Sequence, residues 1–317
     1  MTHGSRRSPL ILLMGPTGAG KTDLAIELAQ HLPLDIISVD SAMVYRGMDI
    51  GTGKPEKTLL ARAPHRLIDV REPEQPYSAA EFRADALREI AQIHRDARVP
   101  LLVGGTGLYF RALTRGLSPL PAADPPTRAR LAARAKQVGW NEMHKRLSII
   151  DPSAAERIHP NDPQRIQRAL EVHELTGLTL TQLHDADERS MTVYPTVSLV
   201  LSPADRRQLH GNIEARFDGM LKAGLVEEVE CLRERENIHR DLPSMRAVGY
   251  RQVWEYLEDE ADLPTMRERA VAATRQLARR QLTWLRAERA GVWLEPGGDA
   301  LKKSLALIAL NTSGQRL

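Results

Sequence analysis

The stretch LILLMGPTGAGKTDLAIELA, residues 10–29, decides how the rest of the chain is read. Its first five residues are apolar and read as a short buried strand. The spacing G-x-x-x-x-G-K-[ST] runs from Gly15 to Thr22, and Leu24, Ala25, Leu28, Ala29 and Leu32 then recur at helical spacing. Strand, glycine turn and helix in that order are the context of a phosphate-binding loop. Backbone N–H groups of such a turn point into one concavity, and the helix adds the positive end of its dipole. Gly15, Pro16, Thr17, Gly18, Ala19 and Gly20 are therefore expected to cradle phosphate. Lys21 would reach the terminal phosphate, and Thr22 would place its hydroxyl on Mg²⁺. A plain glycine turn does not explain why lysine and threonine follow the last glycine.

Working outward, DIISVDS is a second apolar run, ending at Asp40, and VPLLVGGTG a third, ending in Gly104 and Gly105. Between them Ser78 and Glu81 form a capping-box pattern, and Phe82, Ala86, Leu87, Ile90 and Ile93 share one helical face. Strands alternating with helices predict an α/β fold, a P-loop NTPase-like parallel sheet with helices on both faces. A proline-rich break, residues 117–126, interrupts this pattern. Residues 127–187 then read as helices without a convincing strand; the clearest has Asp162 as N-cap, Pro163 at its first position and Gly177 as C-cap. TVSLVLS resumes the strand pattern at Thr196. The economical division is a helical insertion over 119–195 within a core formed by 1–118 and 196–317. Two later helices are expected, one in IEARFDGMLKAG stopping at Gly224 and a long one ending near Gly291.

A chain of 317 residues can bury a sizeable core, and with aromatics at 4% that core must rely on Leu, Ile, Val and Ala. The net charge of +3 does not announce a nucleic-acid binder, but residues 264–289 hold seven arginines against two acids, a local basic stripe. Cys231 is the only cysteine, so no disulfide forms within the chain, and the ten histidines show no H-E-x-x-H spacing. The short polar start and the brief apolar run after it read as neither signal peptide nor membrane span. A reducing, cytoplasmic setting is expected, and no apolar repeat asks for a partner, so a monomer suffices.

The loop alone does not name the reaction. ATPases and GTPases also need a carboxylate at the end of a neighbouring strand. Only Asp40 stands at such a place, where it could act as a base, organise a metal or cap a helix together with Ser41. The other strand end offers Gly104, Gly105, Gly107 and the hydroxyl of Thr106, which suit either close approach of a ligand or the turn's own geometry. Arg275 and Arg279 share a helical face that Trp284 and Arg286 extend. Gln164, Arg165 and Arg168 open a helix of the insertion, and Arg246 and Arg251 flank a glycine. Three basic groups in distant parts of the chain fit a phosphate backbone as well as solvated surface.

GPTGAGKTDLA, DSAMVYRGMDIGT, GGTGLYFRAL, DPQRIQRALEV, SMRAVGYRQ and RQLARRQLTWLR follow one another in an order that resembles the bacterial tRNA dimethylallyltransferases. The likeness runs over residues 10–289. It implies that the loop holds the diphosphate of dimethylallyl diphosphate rather than ATP. The acceptor it implies is the N6 amine of the adenosine immediately 3′ of the anticodon, in tRNAs reading codons that begin with U. Asp40 then matches the family's general base, Thr106 a threonine that bonds near the reacting amine, and Arg216 an arginine on the diphosphate. Mg²⁺ is the implied cofactor and the tRNA anticodon stem-loop the implied partner, with no membrane. The implied tRNA contacts are Asp40, Ser41, Ala42, Met43, Thr106 and Arg128, with Gln164, Arg165, Ile166, Gln167 and Arg168 in the insertion. Arg246, Ala247, Val248, Gly249, Tyr250 and Arg251 form a further block, and Arg279, Arg280, Gln281, Leu282, Thr283, Trp284, Leu285 and Arg286 the last.

The sequence departs from the family pattern at three places. Met43 stands where glutamine is frequent, and a thioether cannot donate to a base edge. TGAGKT replaces TASGKT, and GTGKP replaces GTAKP; both read as conservative for backbone-mediated phosphate binding. The competing readings are a nucleoside or nucleotide kinase with an arginine-rich lid over 127–146, and an RNA-binding protein without catalysis.

Overall fold

The computed structural model describes residues 9–118, 120–185, 194–288 and 291–312. By its contacts the chain divides into two compact units, 115–191 and the remainder, 1–114 with 192–317. The boundaries read from the sequence, 119 and 195, each fall four residues further on.

The larger unit opens with β1 (Leu10–Met14), α1 (Lys21–His31), β2 (Leu34–Val39), α2 (Lys57–Arg62), β3 (His65–Arg66), α3 (Ala79–Arg95), β4 (Val99–Gly104) and α4 (Gly107–Arg115). The smaller unit contains α5 (Pro125–Val138), α6 (Trp140–Ile150), α7 (Pro152–Arg157), α8 (Pro163–Thr176) and α9 (Leu180–Asp185). The larger unit resumes with β5 (Thr196–Leu201), α10 (Arg206–Lys222), α11 (Leu225–Arg233), α12 (Tyr250–Leu257), α13 (Leu263–Ala287), β6 (Val292–Leu294) and α14 (Gly298–Thr312).

The strands form one sheet in the order β3-β2-β4-β1-β5-β6, with every pairing parallel. The alternation of side chains along β1 decides its two faces. Leu10, Leu12 and Met14 join one buried cluster with Ile37, Val39 and Leu102, while Ile11 and Leu13 join another with Leu24, Leu28 and Leu101. A strand covered on both faces must be apolar throughout, as LILLM is. The Ser78–Glu81 capping box is formed at the start of α3, with Phe82, Ala86, Ile90 and Ile93 buried beneath it. The acidic N-cap Asp262 opens α13 by accepting from the Thr265 N–H.

Three local details go beyond what the sequence reading named. The edge strands β3 and β6 span two and three residues, too few for a period to emerge from sequence. Gly224, at φ 98°, directly follows the C-cap Ala223 and stops α10 as the sequence suggests, and it also caps the start of α11. The long basic helix ends at Ala287, and the sequence-predicted extension crosses residues 289 and 290, outside the described set.

The smaller unit has its own core, including Leu131, Met143, Leu147, Ile166 and Leu170. Asp162, Pro163 and Gly177 bound α8 as the sequence suggests. Glu171 is fully buried in this unit. It accepts from Arg128 Nε at 2.9 Å, Arg168 Nη1 at 2.7 Å and the Asp124 N–H at 2.8 Å. Burial opposes its charge, yet the two guanidiniums and that N–H hold the carboxyl below the ordinary glutamate value. A depressed carboxylate stabilises the fold above its unfolded value and loses that contribution as pH falls through the folded one. Glu171→Ala should therefore destabilise the unit by about 1–3 kcal/mol near neutral pH, since the charge-assisted hydrogen bonds to a buried carboxylate are lost while the two arginines can still reach solvent. The deficit should shrink in acid, at pH well below 4.5; hydrogen exchange of α5 and α8 peptides at both pH values measures it.

Candidate active site at the ends of three strands

In parallel α/β sheets ligands collect beyond the carboxyl ends of the strands. Here the neighbours β2, β4 and β1 end in Asp40, in 104–106 and in the glycine loop 15–20, respectively. Lys21, the first residue of α1, curls back so that Nζ donates to the Pro16 carbonyl at 2.8 Å. Asn212 Nδ2 donates to the Gly18 carbonyl at 3.1 Å. Arg216, one turn further along α10, donates from Nη1 to Thr17 Oγ1 at 2.9 Å and from Nη2 to the Thr52 carbonyl at 3.0 Å. The i, i+4 spacing of Asn212 and Arg216 puts both on one face of α10.

Gln281 of α13 crosses the site. Its Oε1 accepts from the Thr17 N–H at 2.9 Å, and its Nε2 donates to the Gly105 carbonyl at 3.1 Å. One amide thus joins the phosphate loop to the turn carrying Thr106. A Cβ at Gly105 would lie 2.3 Å from Nε2, so the absence of a side chain there admits the bridge.

Asp40 lies just past β2. Its Oδ1 accepts from the N–H groups of Ala42 and Met43, at 2.8 and 3.2 Å, and Oδ2 takes no protein hydrogen bond among the described residues. Thr106 Oγ1 accepts from the Ser41 N–H at 3.2 Å, which leaves its own proton to donate. The Met43 sulfur faces Ser38 Oγ at 3.9 Å rather than offering a donor.

The electrostatics follow from placing two cations beside one carboxylate. Burial pulls the Lys21 ammonium down to about 8; the charge of Arg216 adds to this and that of Asp40 opposes it. Burial likewise works against the Arg216 charge, with Asp40 again opposing.

The basic blocks divide by exposure. On α13, Arg279, Arg280, Thr283 and Arg286 are exposed, whereas Leu282 and Leu285 lie in the core and Trp284 stacks on Phe110 with ring centres 6.0 Å apart. Arg246 and Arg251 are exposed, Ala247 and Val248 half-buried, and Gly249 buried. In the smaller unit Gln164 and Arg165 are exposed, Gln167 donates to the Arg128 carbonyl, and Arg168 is bound to Glu171. Tyr250, Ile166, Leu282 and Leu285, named from sequence as tRNA contacts, present no side-chain surface for RNA because they are buried.

The conservative reading of GTGKP is also corrected. Gly53 has φ 65°, and a Cβ there would lie 2.0 Å from Arg216 Nη2. In this chain an alanine would displace the guanidinium. Sequence reasoning missed Asn212, the bridging role of Gln281 and the carboxylate of Glu228, which accepts from the N–H groups of Asp49, Ile50 and Gly51. Helical spacing from Arg216 could have found Asn212; the others join residues more than 170 positions apart and leave no local signal.

Residues 43–288 match the family described as IPP transferase. The chain belongs to the IPP transferase family. The span covers Thr106, Arg216, Glu228 and Gln281. The protein is 58% identical over 301 residues to a tRNA dimethylallyltransferase of Alkalilimnicola ehrlichii, covering 93% of this chain and 94% of that one. It is 58% identical over 279 residues to a tRNA dimethylallyltransferase of Thioalkalivibrio sulfidiphilus, covering 88% and 87%. Among solved structures, the full-length tRNA isopentenylpyrophosphate transferase of Bacillus halodurans superposes with a TM-score of 0.70 at 35% identity, covering 96% of each chain. A eukaryotic dimethylallyltransferase acting on tRNA superposes with a TM-score of 0.78 at 25% identity, covering 97% of this chain and 80% of that one. The P-loop-like parallel sheet read from the sequence is thus that of an IPP transferase.

Two expectations follow for this family member. Pyrophosphate should bind wild type more tightly than Lys21→Met below about pH 7, and that advantage should fade as pH rises through the lysine's value near 8, because the ammonium is lost. Isothermal titration of both proteins across the range measures it, and a pH-independent advantage would contradict it. Gln281→Ala should slow turnover by about tenfold to a hundredfold through misplacement of the two loops. Its tRNA affinity should stay near wild type in filter binding; a loss confined to tRNA affinity would return Gln281 to the RNA surface.

Proposed function

We propose that this protein transfers the dimethylallyl group of dimethylallyl diphosphate to the N6 amine of the adenosine 3′-adjacent to the anticodon, in tRNAs reading codons that begin with U. The product is N6-dimethylallyladenosine. The observation that carries the reading is the pairing of an unengaged carboxylate oxygen, Asp40 Oδ2, with a cationic phosphate cradle on neighbouring strand ends. Family membership supplies the substrate class.

The adenine amine is a poor nucleophile because its lone pair is delocalised into the ring. As N6 forms its bond to the allylic carbon, the carbon–oxygen bond to the diphosphate breaks and the amine must shed a proton. Asp40 accepts it on Oδ2, while Oδ1 stays anchored on two backbone N–H groups. The Thr106 hydroxyl, fixed by the Ser41 N–H, donates to the base and orients it. Negative charge grows on the departing diphosphate, where the loop N–H groups, Lys21 and Arg216 stabilise it. The planar fork of Arg216, with two of its N–H groups spent on Thr17 and Thr52, keeps others for phosphate oxygens.

Among the described residues no group of three or more His, Cys, Asp or Glu could hold a metal. Mg²⁺ bound with phosphates needs only one or two protein oxygens, the rest coming from phosphate and water. Thr22, the second residue of α1, makes no side-chain hydrogen bond among the described residues, so its hydroxyl fits that demand. Thr22 would hold the ion, which supplies charge neutralisation for the leaving group.

The target base must leave its stack to reach Asp40. Arg246, Arg251, Arg279, Arg280, Thr283 and Arg286 supply exposed phosphate-binding groups in the larger unit, and Arg128, Gln164 and Arg165 supply them in the smaller. Among the described residues no helix is long and apolar enough to cross a membrane. This reading puts the protein in the cytoplasm, acting as a monomer on the anticodon stem-loop.

Incubation with tRNA, Mg²⁺ and dimethylallyl diphosphate should add one dimethylallyl group to a single adenosine, seen by mass spectrometry of nuclease digests. Asp40→Ala should keep tRNA affinity and lower the prenylation rate by about 10²–10⁴-fold, the range for loss of a general base. Unmodified tRNA together with phosphoryl transfer from ATP to a nucleoside would favour the kinase reading instead.

A further inference from the structure

Glu228 lies on α11, outside every block that resembles a functional motif, yet its carboxylate is fully engaged. Oε2 accepts from the Asp49 N–H at 2.9 Å and the Ile50 N–H at 2.7 Å. Oε1 accepts from the Gly51 N–H at 3.1 Å and the Tyr250 hydroxyl at 2.5 Å. Three successive amides converging on one carboxylate fix the course of the backbone. The Thr52 hydroxyl, donating to the Met48 carbonyl at 2.7 Å, and Lys54, bound to Asp49 and Asp69, close the same turn. The next carbonyl along, Thr52 O, receives Arg216 Nη2.

We propose that Glu228 is a positioning residue for diphosphate binding: by shaping the 49–53 turn it aims the Thr52 carbonyl that holds Arg216 against the phosphate loop. The proposal rests on the reading of Arg216 as a diphosphate partner. Tyr250 completes the relay. Burial, and then the Glu228 charge, push its phenol far above the ordinary value, so it stays a donor. Its ring also packs on the turn, since a Cβ at Gly51 would lie 2.5 Å from Tyr250 Cε2. This gives the buried tyrosine of SMRAVGYRQ a part in donor binding, while Arg246 and Arg251 of the same block remain at the surface. A guanidinium that can swing loses affinity by having to be ordered when the anion arrives, whereas one held beforehand does not.

The test compares pyrophosphate binding by titration calorimetry, tRNA binding on filters and thermal unfolding for five variants of the full chain, three single and the two doubles that combine Arg216→Ala with Glu228→Gln or Tyr250→Phe. Glu228→Gln keeps the side chain's shape but turns an acceptor into a donor facing backbone N–H groups. It should weaken pyrophosphate binding about tenfold, in the range of one charge-assisted hydrogen bond, and leave tRNA affinity close to wild type. Tyr250→Phe, which removes a single hydroxyl, should weaken it about threefold, less than Glu228→Gln because three of the four bonds remain. Arg216→Ala should weaken it at least as much as Glu228→Gln, and each double variant should be no weaker than Arg216→Ala alone. Should Arg216→Ala leave pyrophosphate binding intact, the reading of Arg216 itself falls. Should it weaken binding while Glu228→Gln does not, or should the two losses multiply, only the relay falls. An equal loss of pyrophosphate and tRNA affinity with a lowered unfolding temperature would mark a merely structural carboxylate and overturn the proposal. If Glu228→Gln does not fold, the Tyr250→Phe loss and its non-additivity with Arg216→Ala decide.

Discussion

Lys21 and Arg216 bring two positive charges into one recess at the carboxyl ends of the central strands, and among the described residues the charge that opposes both is that of Asp40. Burial works against both cations, and Arg216 works further against Lys21. A single carboxylate cannot balance two partly desolvated cations, so the free recess is electrostatically incomplete. On the proposed reading a diphosphate supplies the missing negative charge, and it supplies more as the carbon–oxygen bond breaks. The imbalance is therefore complementary to the leaving group rather than to the ester, which is the condition for accelerating its departure. In the proposed reaction Asp40 serves twice under this constraint: its charge opposes the two cations, and its unengaged oxygen receives the proton released at N6.

That recess is assembled from two parts of the chain that are far apart in sequence. The groups to which the proposed reaction assigns the chemistry, the glycine loop, Asp40 and Thr106, lie before the helical unit. The groups that hold them in place, Arg216, Glu228 and Gln281, lie after it, on α10, α11 and α13. Each holder reaches backbone or hydroxyl of the earlier segment: Thr17 and Thr52 for Arg216, 49–51 for Glu228, Thr17 and Gly105 for Gln281. Glycine loops are intrinsically permissive, and a permissive loop is a poor catalyst until something fixes it. Three polar clamps from packed helices provide that fixing without adding bulk to the recess, which explains why Gly53 and Gly105 carry no side chain where Arg216 and Gln281 cross them.

What was legible in the sequence was local. LILLMGPTGAGKT announces its strand, turn and helix because each step has its own short-range chemistry: an apolar run, glycines, a lysine at the helix start. The capping residues Ser78, Asp162 and Pro163 were equally plain. Asp40 could be picked out because a carboxylate ending an apolar strand is conspicuous. What was hidden depends on distance along the chain or on very short elements. Two-residue β3 has no period to detect, and Gly224, read as the stop of α10, gave no sign that it also opens α11, because a left-handed glycine ends one helix and begins another with the same signature. The motif blocks misled in a different way: a contiguous run such as RRQLTWLR was read as one surface, although a helix turns its residues to all sides.

Helix α13 turns its residues to three different surroundings. Its exposed arginines, Arg279, Arg280 and Arg286, point to solvent, Leu282 and Leu285 anchor the helix in the core, and Gln281 reaches the two catalytic loops. One helix therefore carries an exposed basic face and a loop-clamping side chain within two turns. Rigid helices transmit position well because their backbone bonds are satisfied internally and their core face is close-packed. A helix so anchored cannot shift its arginines toward an RNA backbone without also shifting the amide that joins Thr17 to Gly105. In the proposed reaction the placement of this helix against RNA and the placement of the loops it clamps are thereby coupled through the packing of Leu282 and Leu285.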